Sequence, residues 1–262
     1  MTLNLASIFQ YALQLNADRI LNRNCVLPSY KHKEFLGEVA THFSDISFND
    51  TARISMITTG IIGRTNFIEK VLGDEEIRNS NFIDLGDSDG LFLEILGKRQ
   101  TSLNVSDEAL KTINAKGMKT VRANIDEGLP FPDNSFDYVL LLNTLEHLLD
   151  PVGSLKEIYR ICKKSLIVTT PYVAKTIMYG QDDKASCYMF QNRLFEFSDS
   201  DFRKLVSHTG FDIKEHEIVE CLNSGRTPLE LLVSTYWKLF VHRDMIEWCF
   251  RKFSMYHLAK EA

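Results

Sequence analysis

The run Phe136-Asp-Tyr-Val-Leu-Leu-Leu142 is almost continuously apolar, with Asp137 its one charged residue. A strand with one wet face alternates polar and apolar residues, and this run does not. It has to be covered on both faces, which is the situation of a central strand in a parallel sheet flanked by helices. Shorter runs surround it at regular spacing: Asn81-Phe-Ile-Asp-Leu85, Thr101-Ser-Leu-Asn-Val105, Thr120-Val-Arg-Ala123 and Ser165-Leu-Ile-Val-Thr-Thr170, the last closed by Pro171. Helical patterns separate them over Leu91–Leu96, Asp107–Asn114 and Asp150–Ile161, with a further helix from Ser200 to Thr209 stopped by Gly210. Strands alternating with helices predict an α/β fold with a doubly wound parallel sheet. Ligands on such sheets bind at the carboxyl ends of the strands, which selects the loops after Leu85, Val105, Ala123 and Leu142.

Outside this zone the pattern is helical. Residues 1–72 read as an N-terminal helical extension, with Leu5, Ile8, Phe9, Ala12 and Leu13 at helix spacing, a break at Pro28 and a weaker stripe through Phe35, Val39 and Phe43. Residues 73–222 form the core, and 223–262 read as a C-terminal helical segment with a stripe through Leu231, Leu232, Tyr236, Leu239 and Phe240. A chain of 262 residues with 44% hydrophobic and 25% charged residues is ordinary for a soluble globular protein. Its net charge of -5 disfavours nucleic acid as the main partner, because phosphate backbones need a concentrated basic face. The five cysteines are scattered without a CxxC pair, which argues against a zinc clip or a disulfide framework and fits reduced thiols in a cytoplasm. No run approaches the roughly 20 apolar residues of a membrane span.

The loop Asp84-Leu-Gly-Asp-Ser-Asp-Gly90 follows the first strand and opens a helix. Gly86 permits a sharp turn and close approach of a ligand, and Gly90 precedes the helix N-terminus. With Asp84, Asp87 and Asp89 present, the loop suits a cationic group such as a sulfonium or ammonium better than a phosphate.

Four segments, taken together and in order, carry a family resemblance. Asp84-Leu-Gly-Asp-Ser-Asp-Gly90 resembles the first motif of class I S-adenosylmethionine-dependent methyltransferases. Leu129-Pro-Phe-Pro-Asp-Asn-Ser-Phe-Asp-Tyr-Val139 and Asn143-Thr-Leu-Glu-His-Leu-Leu-Asp-Pro151 are similar to the segments entering and leaving that family's fourth strand. Glu196-Phe-Ser-Asp-Ser-Asp-Phe-Arg-Lys-Leu and Gly210-Phe211 resemble the closing helix and strand of its small-molecule branch. The resemblance covers Phe82 to Val219 and implies a Rossmann-like, mostly parallel sheet of seven strands, S-adenosylmethionine as cofactor and a small-molecule methyl acceptor. It implies that Gly86 and Gly90 line the methionine part, with Asp84 or Asp87 near its ammonium. By the same resemblance Asn104 faces the ribose hydroxyls, Asn124 and Ile125 flank the adenine, and Asn143 sits near the sulfonium and the acceptor.

The family usually has carboxylates where Asn104 and Asn124 stand, and a glycine at Ser88. An amide offers one acceptor oxygen where a carboxylate offers two. These differences leave open a second reading, a methyltransferase-fold protein that binds or scaffolds without catalysis. His147 is a candidate general base, and Tyr172 a candidate lining of the acceptor pocket. Glu146 and His147 alone are too few to close a metal site, so no metal is assigned. Tyr179, Tyr188 and Phe190 lie in the irregular stretch Val173–Phe195, read as a substrate-facing loop. The aromatic C-terminal helices offer a surface through which copies of the chain could pair as a homo-oligomer.

Overall fold

The computed structural model describes residues 51–97, 100–172, 194–222 and 250–260. The five runs expected to be strands are β1 (Phe82–Leu85), β2 (Thr101–Asn104), β3 (Lys119–Arg122), β4 (Phe136–Leu142) and β5 (Cys162–Pro171). Two longer strands follow, β6 (Phe211–Leu222) and β7 (Phe250–Lys260). They form one seven-stranded sheet in the order β3-β2-β1-β4-β5-β7-β6. The pairs β1–β2, β1–β4, β2–β3 and β4–β5 are all parallel. The mostly parallel, seven-stranded sheet expected from the sequence is therefore present. Successive strands step outward from β1 on one side and from β4 on the other, so the topology switches between β1 and β4.

Helices α1 (Thr51–Asn79), α2 (Leu91–Ile95), α3 (Asp107–Ala115), α4 (Pro151–Ile161) and α5 (Asp199–Val206) flank the strands in sequence. Their starts are written in the sequence. Ser106 Oγ accepts the Ala109 N–H, Asp150 Oδ1 accepts the Gly153 N–H, and Ser198 Oγ accepts the Asp201 N–H. Each supplies a partner to an otherwise unbonded first-turn donor. Pro151 occupies the first turn of α4, where its missing N–H is not needed.

The core joins Ile83, Leu85, Val139 and Leu141 of the sheet to Leu155, Ile158 and Ile161 of α4 and to Phe202 and Val206 of α5. Each such side chain contributes about 1.5–3 kcal/mol when fully buried. Behind the sheet, Glu76 near the end of α1 receives Lys164 Nζ at 2.7 Å, the Tyr138 hydroxyl at 2.8 Å and Ser80 Oγ at 3.1 Å, all on Oε2. The guanidinium of Arg160 donates to the carbonyls of Phe131 at 2.7 Å and Leu129 at 3.0 Å, pinning the proline-rich approach to β4 onto α4. Cys162 is buried, and desolvation pushes its thiol up to about 12, as expected of an idle structural cysteine.

One sequence expectation fails at the end of the chain. Residues 250–260, read as part of a helical segment, form β7 between β5 and β6. Over residues 256–259, Tyr256 and Leu258 are fully buried while His257 and Ala259 are partly exposed, the period of two of a strand. Tyr256 stacks on Phe202 with centroids 3.9 Å apart, and that packing fixes the strand. Lys260 then donates to the carbonyls of Tyr159 and Cys162, each at 2.9 Å, and to Asn134 Oδ1 at 2.8 Å. The stripes expected over Leu5–Leu13, Phe35–Phe43 and Leu231–Phe240 lie outside the described residues.

The chain divides into two compact units, Met1–Phe67 with Ile218–Phe253, and Ile68–Glu217 with Ser254–Ala262. In the first, Ile61, Ile62 and Phe67 are buried, Gly63 lies against Val219, and the Arg64 guanidinium sits 4.3 Å from the Phe253 ring centre. The second holds every residue of the candidate site. No helix among the described residues is long and apolar enough to cross a membrane.

Candidate active site

The loop after β1 and the turn after β4 meet at the topological switch point. Gly86 has φ 83, and a side chain there would collide with the Oγ1 and Cγ2 atoms of Thr144. Thr144 Oγ1 donates to the carbonyl of Leu85 at 3.2 Å. Gly90 has φ 75, and a Cβ there would press on the sulfur of Met118 at 2.7 Å. Both glycines are thus required by their backbone conformation and by their neighbours. Ser88 is exposed and keeps a negative φ, so the extra side chain points away without straining the loop.

The loop is stitched from within. Asp87 Oδ1 accepts the N–H groups of Asp89 at 3.1 Å and Gly90 at 2.7 Å, while Oδ2 accepts the Ser102 hydroxyl at 2.7 Å. Asp89 Oδ1 accepts the Leu91 N–H at 2.9 Å. The N–H groups of Asp89, Gly90 and Leu91 are therefore taken by the loop's own carboxylates. Asp84 is fully desolvated, and burial together with the charges of Asp87 and Asp89 raises its carboxyl well above the usual range. Burial likewise raises Asp87, opposed by the hydrogen bonds from Ser102 and Gly90.

Asn104, at the tip of β2, donates through Nδ2 to the Asp87 carbonyl at 2.7 Å, and its Oδ1 accepts the Ser106 N–H at 2.8 Å. Its amide is committed within the chain on both sides. Asn124, after β3, accepts the Asp126 N–H at 3.2 Å and donates to Glu127 at 3.1 Å, capping the single 3-10 turn Ile125–Glu127. Ile125 belongs to the hydrophobic core rather than to the crevice. Val105, beside Asn104, is 57% exposed and gives this edge an apolar face.

Asn143, at the tip of β4, has φ 54, a conformation that costs a non-glycine residue about 1 kcal/mol or more. Thr169 of β5 holds it there. The Asn143 N–H donates to the Thr169 carbonyl and hydroxyl oxygens, each at 3.0 Å, and the Thr169 hydroxyl donates to Asn143 Oδ1 at 3.0 Å. Asn143 Nδ2 also reaches Glu146 Oε1 at 3.4 Å, and Glu146 is almost wholly buried. The Glu146 carbonyl accepts the N–H groups of Leu194 and Phe195, at 2.9 and 3.2 Å. Asp126 Oδ1 accepts the Leu149 N–H at 2.9 Å and the Asp150 N–H at 3.3 Å, tying the turn after β3 to the segment after β4. His147 begins that segment, its N–H bonded to the Thr144 carbonyl at 3.0 Å. Tyr172 follows β5 at the same end of the sheet, partly exposed.

The structure thus gathers Asp84, Gly86, Asp87, Gly90 and Asn104 around one loop, and Asn143 and His147 around its neighbour. Tyr179, Tyr188 and Phe190 lie outside the described residues. Sequence reading missed Ser102, Asp126, Thr144 and Thr169. Ser102 was within reach, since it sits two residues before Asn104 and so on the same face of β2. Thr169 lay inside a motif already noted as ending β5, with nothing local to show that it faces Asn143. Among the described residues no group of three histidine, cysteine or carboxylate side chains is arranged to hold a metal ion.

An open sheet with this strand order and an acidic glycine loop at its switch point defines the class I methyltransferase fold. Residues 83–168 match the family model described as a methyltransferase domain. The chain is 31% identical over 81 residues to a demethylmenaquinone methyltransferase of Geobacillus stearothermophilus, an alignment covering 31% of this chain and 34% of that protein. A demethylmenaquinone methyltransferase of Listeria welshimeri is 38% identical over 64 residues, covering 24% of this chain and 27% of the relative. The chain thus spans about a third of the length of the curated relatives it matches. A solved S-adenosylmethionine-dependent methyltransferase from Thermotoga maritima superposes with TM-score 0.54 at 18% identity, over 86% of this chain and 99% of that one. The [4+2]-cyclase SpnF superposes with TM-score 0.52 at 17% identity, over 76% and 80%. At such identities the likeness is one of fold, and the cyclase among them means that fold alone does not fix the chemistry.

Proposed function

We propose that this chain transfers a methyl group from S-adenosylmethionine to a small-molecule acceptor. The observation that carries the reading is the charge of the crevice. Three of its loop N–H groups are satisfied by Asp87 and Asp89, and the buried carboxyl groups of Asp84, Asp87 and Asp89 surround them. These acidic acceptors disfavour a phosphate and suit the cationic sulfonium and ammonium groups of a ligand. Asp84 and the backbone of Gly86 to Gly90 would hold the methionine part, with Val105 and Asn124 beside the adenosine. When bound, S-adenosylmethionine supplies an activated methyl group. Direct attack on that methyl needs alignment more than covalent help. Asn143, fixed in its unusual conformation by Thr169, would orient the acceptor, and His147 would accept its proton.

The acceptor side fits a compound with an apolar part. Leu149 is 72% exposed and Leu194 53%, and both flank the Glu146–Leu149 turn. The two curated relatives are named for demethylmenaquinone, an acceptor of that character. The amides of Asn104 and Asn124 are used within the chain, which favours a second reading, a binding protein without catalysis. Calorimetric titration of the full chain with S-adenosylmethionine and S-adenosylhomocysteine tests both. Absence of binding at millimolar ligand overturns the methyltransferase reading. Binding without methyl release across a panel of quinol and phenol acceptors favours the second.

A further inference from the structure

Asn104 stands where the family usually carries a carboxylate, and the surroundings give a physical reason. Its Nδ2 donates at 2.7 Å to the Asp87 carbonyl, a bond that an ionised carboxylate cannot make because it has no hydrogen to give. Asp87 is also anchored by its side chain, through Ser102 on the same strand and through the N–H groups of Asp89 and Gly90. The Gly86 N–H bonds to the Leu103 carbonyl at 2.8 Å. The loop is therefore held to β2 at consecutive residues, by Ser102, Leu103 and Asn104. On its far side, the Asn104 Oδ1 accepts the Ser106 N–H, and Ser106 caps α3. One amide thus links the glycine loop to the start of the next helix. Placing a carboxylate at 104 would set a third negative group beside the buried Asp87 and Asp89, against a carbonyl oxygen at hydrogen-bond distance.

We infer that Asp87 and Asn104 are a matched pair, in which Asn104 is a positioning residue that locks the glycine loop in its ligand-ready shape. It follows that a carboxylate at 104 harms the site in two ways, by losing the bond to the carbonyl of residue 87 and by adding charge beside Asp87, and that removing the Asp87 side chain relieves only the second. This rests on the proposed cofactor reading only where ligand binding is measured, since the lock itself is a property of the ligand-free protein.

The test is a double-mutant cycle on the full chain with Asn104→Asp, Asp87→Ala and the double variant. It is read by ligand-free melting temperature and by S-adenosylhomocysteine affinity. Asn104→Asp is expected to lower the melting point by roughly 4–8 °C and to weaken binding about tenfold or more. In the Asp87→Ala background the same change is expected to cost less than in the wild type while still weakening binding, because the carbonyl of residue 87 remains. A simple missing-contact view predicts the reverse, with Asn104→Asp tightening binding. Tighter binding, an unchanged melting point, or equal losses in both backgrounds overturns the inference. Should Asn104→Asp fail to fold, Asn104→Ser removes the amide's bond to the Asp87 carbonyl and Ser102→Ala the bond to the Asp87 carboxylate, without adding charge. Both are expected to lower melting point and affinity, and no change in either overturns it. If the wild type does not bind S-adenosylhomocysteine, the methyltransferase reading falls, while the ligand-free melting cycle still decides the lock.

Discussion

The side chain of Thr144 occupies the space in which any side chain at residue 86 would have to sit, and its hydroxyl bonds to the carbonyl of Leu85. The two loops of the candidate site are thereby fitted to each other before any ligand arrives. Gly86→Ala should therefore destabilise the protein by about 1–3 kcal/mol, through both its positive φ and this collision. Adding Thr144→Ala should recover the steric share and leave the conformational one. Urea denaturation of the single and double variants measures both, and full recovery would show that φ contributes nothing.

Asn143 separates strain from function. Asn143→Gly relieves the left-handed backbone, whereas Asn143→Ala keeps the strain and loses the bond with Thr169. The expected order of melting temperature is glycine above alanine. Methyl transfer should nevertheless fall in both variants, by roughly tenfold or more in kcat, if the side chain orients the acceptor. An active alanine variant would remove Asn143 from the site.

Glu76 gives the acid limb of stability a definite shape. The ammonium of Lys164 first, then the hydroxyls of Tyr138 and Ser80, lower its carboxyl from the ordinary 4.5 to about 2. A carboxyl lowered on folding contributes stability above its unfolded value, and loses that contribution as pH falls toward the folded one. Stability should thus decline between about pH 4.5 and pH 2 in the wild type. Glu76→Gln should flatten that part of the curve while leaving its alkaline side alone. Denaturation midpoints collected across this range, with superimposable wild-type and variant slopes, would refute the assignment.

Arg160 holds the approach to β4 by donating to the carbonyls of Leu129 and Phe131, with Glu157 and Asp133 alongside. Lysine is a point charge and cannot span both carbonyls. Arg160→Lys is expected to lose about 1–2 kcal/mol in thermal or chemical denaturation, close to the loss for Arg160→Ala. Hydrogen exchange in residues 129–136 should rise in both variants.

Most of the sheet was legible because β1, β2, β4 and β5 carry apolar runs whose burial requires cover on both faces. The acidic glycine loop was legible for a local reason, since two glycines and three acids within seven residues restrict what can bind there. What could not be read was pairing across the chain. Nothing near Thr169 marks it as the support of Asn143, and nothing near Asp87 announces that Asn104 will donate to its carbonyl. At the C-terminus, the aromatic composition resembled a helix face. The strand Phe250–Lys260 is set by a slot between β5 and β6 and by the stack of Tyr256 on Phe202, a tertiary cause with no local trace.

The position of β7 also orders events in time. Because β7 lies between β5 and β6, the earlier strand cannot dock where it belongs until the later one has been made. A chain still emerging from the ribosome carries β5 as an open edge, with unpaired N–H and carbonyl groups available to any passing strand. Lys260, reaching back to Tyr159, Cys162 and Asn134, makes the last of these ties. Synthesis can therefore assemble the first half of this sheet early, but it can seal the other half only once β7 has been made.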